Sequence, residues 1–455
     1  MDEHTGQSVL FSSLHQKPIL ASFGETESSS DGGLILLKAI DERLRLTERV
    51  AACMQDPRDS SRVAHSVLDL VRQRTYGIAM GYPDANDADR LASDPLHNLA
   101  LGREPAEGVR LASQPTLSRF ENSVRSRELV RMTHALADAV IESHRARRRR
   151  VRLVTLDVDP TDDPTHGQQP FSFYNGHYDT YCFLPLVVTM TLDDDADQYL
   201  LGSMLRRGDV GAESGFEAML VRLLPKLRRA FPNARIRVRL DGAFSSSTVL
   251  DRLDQEKVEY VVGLAGTKPL AEEAGPALLA ARQQSEQSKE SAQVFGECEH
   301  ERESWAEPRR VIYKAEVTRL TGRAPRDNVR FVVTSLRLTP EHVYDVYRQR
   351  GEMENRIKEL KQGLSMDRTS CTSFFANAFR VLLTCAAYVL LQEMRRLAAG
   401  TECARAQVWT LRERLLKLAV WVQVSVRRVV LRLPTEFPGR IAWLRIAQRL
   451  GAVPG

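Results

Sequence analysis

The sequence predicts a mixed α/β protein, in which an α/β core with a β-rich insertion lies between two helical regions. Three patterns in the 455 residues lead to this prediction. Apolar helical periodicity dominates up to about residue 143 and again after residue 340. Between residues 153 and 264, short apolar runs typical of strands alternate with helical stretches, which is the pattern of an α/β domain. Three further β-like runs follow between residues 294 and 336.

These patterns divide the chain into five segments. The predicted segments are an all-α N-terminal domain (1–143), the first part of the α/β core (144–264), the β-rich insertion (265–340), a core helix (341–370) and a helical, basic C-terminal region (371–455). The first boundary is marked by an arginine-rich stretch, Arg145–Arg152, which leads directly into the first apolar strand of the core.

Composition places the chain among ordinary globular proteins. Hydrophobic residues make up 43% and charged residues 27%, which excludes wholesale disorder and a fibrous repeat. The six cysteines stand at long spacings without a CxxC pair, so neither a disulfide framework nor a zinc site is expected. The polar N-terminus is not typical of a signal peptide. The longest apolar run, Val381–Leu391, is about half the length of a membrane span. We expect a cytoplasmic protein without membrane contact, and a buried helix at that run.

Positive charge is unevenly distributed along the chain. The net charge is only +5, but residues 405–455 contain ten Lys and Arg against two Glu. This region is expected to form amphipathic helices. Together with Arg145–Arg152, its charge is suited to sequence-independent contact with phosphates.

Acidic residues lie at the ends of two predicted core strands. Asp157 and Asp159 end the first strand, and Asp241 follows the strand Ile236–Leu240. The carboxyl ends of strands are where α/β sheets form their sites, and Gly242 leaves space beside Asp241. The alternative for each acid is a structural role in a turn or helix cap.

One predicted helix, Val343–Leu364, carries four polar side chains on a single face. At about 100° per residue, Tyr347, Arg350, Glu354 and Lys361 project from one narrow arc. The alternative is a solvated face on which Arg350 and Glu354 form an ion pair one turn apart.

Together, three acids and a basic helix face indicate phosphodiester chemistry. Two divalent ions held by carboxylates activate the attacking oxygen and stabilise the leaving oxygen in such reactions. Arg350 and Lys361 are suited to the phosphates beside the scissile bond, and Tyr347 to a phosphate or a base.

The motifs resemble a known family. The spacing Tyr347-x2-Arg350-x3-Glu354-x6-Lys361 matches the Y-R-E-K signature of bacterial insertion-sequence DDE transposases in the insertion sequence four-like superfamily. Three further regions are similar to the subgroup of insertion sequence thirteen-eighty: Leu156–Asp163 with Thr165–Gln169, Tyr174–Tyr178, and Arg239–Phe244. The resemblance extends from about Asp31 to Leu450.

The resemblance implies an RNase H-like catalytic core and cut-and-paste transposition. It implies a triad of Asp159, Asp241 and Glu354 that holds two Mg²⁺ ions, for which Mn²⁺ can substitute. The family pattern Asp-x-Thr selects Asp159 as the first acid, whereas strand alternation keeps Asp157 as an alternate. Implied partners are double-stranded DNA, as terminal inverted repeats and target, and a second copy in a homodimeric synaptic complex. The N-terminal helices are the expected readers of sequence, in a bacterial, nucleoid-associated protein.

Trp305 in the insertion is a further candidate for DNA contact. In related transposases the insertion supplies an aromatic side chain that holds a flipped base, and stacking on an indole offsets part of the cost of unstacking. The alternative is a core tryptophan on a strand.

Two other functions stay open for the same sequence. One is a transposase-derived DNA-binding protein that no longer cuts, and the other is a metal-dependent nuclease without strand transfer. Cleavage and strand-transfer products distinguish these functions from a transposase.

Overall fold

The computed structural model of the protein describes residues 9–11, 16–17, 19–22, 24–105, 110–148 and 150–453. The backbone divides into two units, which are described separately. The terminal unit contains Met1–Asp41, Arg58–Ser118 and Glu393–Gly455, and the core unit contains Glu42–Pro57 and Arg119–Gln392. The two ends of the chain, which the sequence analysis assigned to different segments, belong to one unit.

The strands of the described residues are β1 (Val9–Phe11), β2 (Ile19–Ala21), β3 (Ser28–Ser29), β4 (Leu153–Pro160), β5 (Asp163–Pro164), β6 (Phe173–Asn175), β7 (Thr180–Phe183), β8 (Leu186–Leu192), β9 (Tyr199–Met204), β10 (Arg235–Leu240), β11 (Glu259–Leu264), β12 (Ala292–His300), β13 (Arg309–Thr318), β14 (Arg326–Thr334), β15 (Val420–Ser425) and β16 (Arg428–Arg432). The α-helices are α1 (Leu34–Leu44), α2 (Leu46–Ala51), α3 (Val67–Met80), α4 (Ala88–Leu91), α5 (Pro95–Ala100), α6 (Gln114–Asn122), α7 (Ser126–Arg147), α8 (Phe216–Ala230), α9 (Ser247–Gln255), α10 (Lys268–Glu273), α11 (Gly275–Ser288), α12 (Pro340–Arg348), α13 (Glu352–Lys358), α14 (Phe374–Leu397), α15 (Val408–Leu411) and α16 (Arg440–Arg449). Short 3-10 turns lie at Ser60–Arg62, Ala85–Asp87, Gly242–Phe244 and Gln349–Gly351, and π-helical turns at Glu359–Gly363 and Arg412–Leu416.

Within the described residues, the core unit is built on an eight-stranded mixed sheet. Its strand order is β12-β13-β14-β11-β10-β4-β8-β9. β10 is parallel to β4 and to β11, whereas the other neighbouring pairs are antiparallel. The central strand β4 is buried on both faces: Leu156 and Val158 are 1% and 3% exposed on one face, and Asp157 is 0% exposed on the other. Leu153, Val154, Leu156 and Val158 made β4 recognisable in the sequence, although Asp157 and Asp159 interrupt the apolar run.

The insertion continues the core sheet. After α10 and α11, the strands β12, β13 and β14 form an antiparallel meander at the positions of the three predicted β-like runs. β14 then pairs antiparallel with β11, where Val261 lies opposite Thr334. The segment thus contains two helices as well as three strands, and its strands extend the sheet that carries the acids.

The helix predicted at Val343–Leu364 is present as a continuous helical path. It consists of α12, a 3-10 turn, α13 and a π-helical turn that ends at Gly363. Val343 is buried against Val261 and Ile312 of the sheet, and Met353 is also buried. The apolar side of this path therefore anchors it to the core sheet.

Among the described residues, α14 is the helix that is long and apolar enough to cross a membrane by length and composition. In the apolar window of this helix, 83% of the residues are buried within the protein. The burial agrees with the prediction of a buried helix at Val381–Leu391.

The terminal unit differs from the two helical regions predicted for the chain ends. Its N-terminal part contains helices α3 and α5 but also β1, β2 and β3, so the prediction of an all-α N-terminal domain is wrong there. The predicted helical C-terminal region contains the hairpin of β15 and β16, which is joined to β3. The physical reason is the alternation of valine with other residues in Val420–Ser425, which has the two-residue period of a strand.

Candidate active site

The ends of two parallel strands place two acids side by side. In the register of β4 and β10, Asp157 is paired with Arg239. Asp159 and Asp241 each follow that pair by two residues, at the carboxyl end of their strands. Asp241 also begins the turn Gly242–Phe244, where its Oδ1 accepts a hydrogen bond from the Ala243 N–H at 3.0 Å. Asp241 therefore does cap this turn, but the cap uses only one of its two carboxylate oxygens.

Asp157 is completely buried, and its carboxylate is occupied by neighbours. Arg239 donates from Nε to Oδ1 at 2.8 Å and from Nη2 to Oδ2 at 2.7 Å. Gln198 donates to Oδ2 at 3.0 Å. Burial raises the pKa of Asp157, and the Arg239 guanidinium opposes that rise. A carboxylate held by a bidentate arginine has a structural role, and Asp157 lies away from the cleft that Asp159 lines.

Asp159 and Asp241 share one guanidinium group. Arg350 Nη2 donates to Asp159 Oδ1 at 2.7 Å and lies 3.7 Å from Asp241 Oδ2. The pKa of Asp159 is raised to about 7, and burial is the largest cause. Arg350 lowers that pKa, whereas the negative charges of Asp241 and Glu354 raise it further. The three acids thus lie near enough to influence one another, and a cation lies between two of them.

The cleft beside Asp159 is lined by the helix that carries the third acid. It has a volume of about 410 Å³, and Glu354 and Lys361 are on its wall. Lys361 Nζ donates to Asp162 Oδ1 at 2.8 Å and to the Asp162 carbonyl oxygen at 3.1 Å. A cationic side chain is thereby fixed next to the loop that follows the first acid.

Tyr347 packs against the turn that follows the second acid. A Cβ atom built on Gly263 of β11 would lie 2.5 Å from Tyr347 Oη and 2.8 Å from the Gly242 nitrogen. Only glycine leaves space for the hydroxyl at this position. Burial raises the pKa of Tyr347, Arg350 opposes the rise, and Asp241 adds to it. The phenol therefore stays protonated beside Asp241 and can donate a hydrogen bond.

The four residues of the predicted helix face lie near the strand ends that carry the acids. Arg350 forms its ion pairs with Asp159 and Asp241, so the alternative of a solvated Arg350–Glu354 pair does not describe this structure. Glu354 is exposed to the cleft, and Tyr347 is half-buried. The face is turned towards the carboxyl ends of β4 and β10.

Two neighbours of the acids were not singled out from the sequence. Tyr178 is half-buried, and its hydroxyl lies 3.5 Å from the Pro160 carbonyl oxygen. Burial raises the pKa of Tyr178 to about 12, with Asp159 among the charges that add to the rise. Asp163 is buried, and the Thr369 hydroxyl lies 2.9 and 2.8 Å from its two oxygens. Both residues fall within stretches that carry the resemblance, but their contacts depend on chain segments distant in sequence.

Trp305 is enclosed by the insertion. Only 7% of the residue is exposed. The guanidinium groups of Arg302 and Arg309 lie 5.1 and 5.8 Å from the ring centre, and His300 packs edge-on against the ring. This arrangement favours the alternative of a core tryptophan over an open platform for a base.

The chemistry of the donors fits a divalent cation, although Arg350 takes part of the space. Carboxylate oxygens are the ligands that Mg²⁺ prefers, and the mutual repulsion of Asp159, Asp241 and Glu354 favours a cation among them. In the part of the chain that the structure describes, no group of three or more His, Cys, Asp or Glu side chains is spaced to hold a metal ion. Arg350 compensates the charge of two of the acids in this arrangement.

The fold and the site define a mixed α/β protein in which acids at adjacent strand ends meet a helix face with arginine, glutamate and lysine. A family model described as transposase DDE domain group 1 matches residues 11–454. The chain belongs to this family of DDE transposases. Membership implies a metal-dependent enzyme that cleaves DNA, since DDE transposase domains generally use divalent metal ions. A search of the curated proteins found no match for the chain.

Proposed function

We propose that the protein cuts and joins DNA at the terminal inverted repeats of its own insertion sequence, with Asp159, Asp241 and Glu354 as the catalytic triad. The proposal places it in the insertion sequence four-like superfamily and the subgroup of insertion sequence thirteen-eighty. The observation that carries the proposal is the convergence of the three acids. Asp159 and Asp241 lie at adjacent strand ends and share Arg350, while Asp159 and Glu354 line one cleft.

We assign the catalytic core to the RNase H-like fold. Support comes from the sheet, in which three antiparallel strands (β9, β8 and β4) continue into the parallel strands β10 and β11. The acids stand where the central parallel strands end, which is the usual place for a site in an α/β sheet. The insertion between Asp241 and Glu354 supplies the remaining strands of the same sheet.

The triad would hold two Mg²⁺ ions, and Mn²⁺ can substitute for them. Such ions lower the pKa of the attacking water and stabilise the leaving oxygen. Hydrolysis of the phosphodiester bond frees a 3′-hydroxyl, and attack by that hydroxyl on a target phosphodiester joins the strands. Arg350 and Lys361 neutralise the phosphates beside the scissile bond, and the Tyr347 hydroxyl donates to a phosphate oxygen.

The remaining partner assignments follow from the same proposal. Double-stranded DNA binds as terminal repeats and as target, and two copies of the chain hold the two ends of the element in the synaptic complex. The predicted N-terminal helices and the Arg145–Arg152 stretch contribute DNA contacts outside the active site.

The test is cleavage of a labelled duplex that carries the terminal repeat of the element. We expect wild type to cut at the repeat boundary in Mg²⁺ and not in EDTA, and Glu354→Gln to lose cutting while it retains DNA binding. Glu352→Gln is the matched control, because Glu352 is an exposed acid on the same helix.

The possible outcomes separate the candidate functions. Cutting followed by strand joining supports the transposase. Cutting without joined products indicates a nuclease, and binding without cutting in Mg²⁺ or Mn²⁺ indicates a silent DNA-binding protein. Equal loss of cutting in Glu352→Gln and Glu354→Gln would remove the special role assigned to Glu354.

A further inference from the structure

The hairpin of β15 and β16 is exposed on both faces over its outer half. Val422, near its base, is 2% exposed, whereas the paired residues Val424 and Val429 on the same face are 39% and 37% exposed. Gln423 and Arg428 on the opposite face are exposed as well. Since a two-stranded hairpin alone is marginally stable, an outer half with exposed valines is unusual unless a partner covers it.

The tip of the hairpin is not built like an ordinary tight turn. Ser425 is paired with Arg428, so Val426 and Arg427 form a two-residue loop. Such loops normally contain Gly or Asn at positive φ, but φ is not positive at either residue. The Ser425 hydroxyl holds the turn by accepting from the Arg428 N–H at 3.3 Å and donating to the Arg428 carbonyl oxygen at 2.9 Å. Val426 is fully exposed, at 107%. The turn does not need a valine at this position, whereas an apolar contact with a bound ligand would account for it.

The charge of the hairpin identifies the kind of partner. Residues 420–432 contain three arginines and no acid. Arg427 and Arg428 are exposed, and they form no ion pair within the described part of the chain. Arg432 Nε donates to Gln423 Oε1 at 2.7 Å, which orients both side chains on the face that also carries Arg428. This positive charge favours an anionic partner, and it disfavours the pairing of two copies of the hairpin with each other.

We propose that the outer half of this hairpin lies in the major groove of duplex DNA, as a contact separate from the active site. The major groove accommodates a two-stranded β-ribbon, and arginine and glutamine are the side chains that read guanine and adenine there. Arg428 and Gln423 face the base edges, while Arg427 binds phosphate at the tip. Val426 contacts a thymine methyl group. The inference goes beyond the proposed triad and uses only the DNA partner that family membership implies.

The test measures binding of the full chain to the terminal-repeat duplex in EDTA, so that it does not depend on cleavage. Each phosphate contact contributes about 0.9 to the slope of log affinity against log salt. Because Arg427 neutralises a phosphate while Arg428 faces a base, Arg427→Ala/Arg428→Ala lowers this slope by about 0.9. The affinity ratio of wild type to variant is then about 3.5-fold larger at about 50 mM than at about 200 mM salt.

Footprinting with dimethyl sulfate locates the hairpin on the DNA. We expect wild type to protect guanine N7 atoms from dimethyl sulfate, and both the double variant and Val426→Asp to lose part of that protection. Arg229→Ala is the control and changes the charge by the same amount as Val426→Asp, since Arg229 is exposed at the end of α8 in the other unit. Unchanged affinity, salt slope and N7 protection in the ribbon variants would overturn the proposal. So would a change in the protein's oligomeric state without a change in DNA binding. Neither result depends on whether Glu354→Gln abolishes cutting.

Discussion

Asp157 and Asp159 are two residues apart on one strand, yet their surroundings give them different roles. Asp157 is held by Arg239 and Gln198 inside the core, whereas Asp159 lines the cleft. We expect Asp157→Asn to lower the free energy of unfolding by about 3 kcal/mol, because it breaks a buried ion pair and leaves Arg239 without its counter-ion. Denaturant unfolding of the full chain measures this change.

Asp159→Asn is the matched comparison for that substitution. It should abolish metal-dependent cleavage while DNA binding stays close to wild type. Full cleavage by Asp159→Asn, together with loss of cleavage in a stable Asp157→Asn protein, would reverse the assignment of the first acid.

The raised pKa of Asp159 makes its contribution to stability depend on pH. Its ordinary pKa is 3.8, and its pKa in the folded protein is about 7. Between these values the folded state keeps a proton that the unfolded state releases, so the contribution of Asp159 to the unfolding free energy falls as pH rises from about 4 to about 7. We therefore expect Asp159→Asn to gain stability relative to wild type over this range.

Denaturant unfolding in EDTA at several pH values measures that difference. Comparison of the two proteins removes the contribution of Asp163, whose burial also raises its pKa to about 7. A difference that stays constant with pH would mean that Asp159 is already ionised in the folded protein at acidic pH.

At the level of elements, Arg239 joins the strands to the helix of the third acid. Besides holding Asp157, its Nη1 donates to the Val346 carbonyl oxygen and to Gln349 Oε1, both at 3.0 Å. The single ammonium group of lysine cannot replace these guanidinium contacts. We expect Arg239→Lys to fold and to bind DNA. We expect it to cleave about 10- to 100-fold more slowly, because the helix is no longer held at a fixed position against the strands.

Single-turnover cleavage measures this effect, and Arg237→Lys is its control. Arg237 is on the same strand and forms an ion pair with Glu259 of β11 instead of contacting the helix. Equal cleavage rates for Arg239→Lys and wild type would show that the acids are positioned without the hydrogen bonds from Arg239 to the helix.

The elements that sequence predicted well are those whose pattern is local. The repeat of side chains is visible within a few residues or turns for three of them: the strand that begins at Leu153, the amphipathic helix α8 and the helix face from Tyr347 to Lys361. The hairpin Val420–Arg432 was missed because charge spacing suggested helices, although its alternating valines indicated a strand. The Asp157–Arg239 pair was not predictable, since it joins residues 82 positions apart.

On the scale of the whole molecule, the main surprise is that the chain ends form one unit. Sequence patterns cannot show this, because each end has its own local periodicity and the pairing between them is tertiary. Two close contacts illustrate it: the Gly32 N–H donates to the Leu418 carbonyl oxygen at 2.8 Å, and the Gly33 N–H donates to the Leu416 carbonyl oxygen at 3.0 Å. A Cβ at Gly33 would lie 2.0 Å from the Leu415 carbonyl oxygen, so glycine is required where the two ends meet.

Asp31 is the residue at which the separate segments of the terminal unit converge. It is fully buried, with Oδ2 2.7 Å from His97 Nε2 and Oδ1 2.8 Å from Lys417 Nζ. Burial opposes ionisation, but His97 and Lys417 outweigh it and lower the pKa of Asp31. We expect Asp31→Asn to destabilise the terminal unit by about 3 kcal/mol, since Lys417 loses a buried partner.

Hydrogen exchange followed by mass spectrometry tests whether this loss is shared by both chain ends. If the unit unfolds cooperatively, exchange in Asp31→Asn rises together in α3, α5 and β15, while β4 and β10 of the core sheet keep their protection. Asp59→Asn is the control, because Asp59 is an exposed cap of a short turn in the same unit. Faster exchange confined to the N-terminal peptides would show that the C-terminal segment is stable without Asp31. The ends would then be neighbours in one unit without sharing its stability.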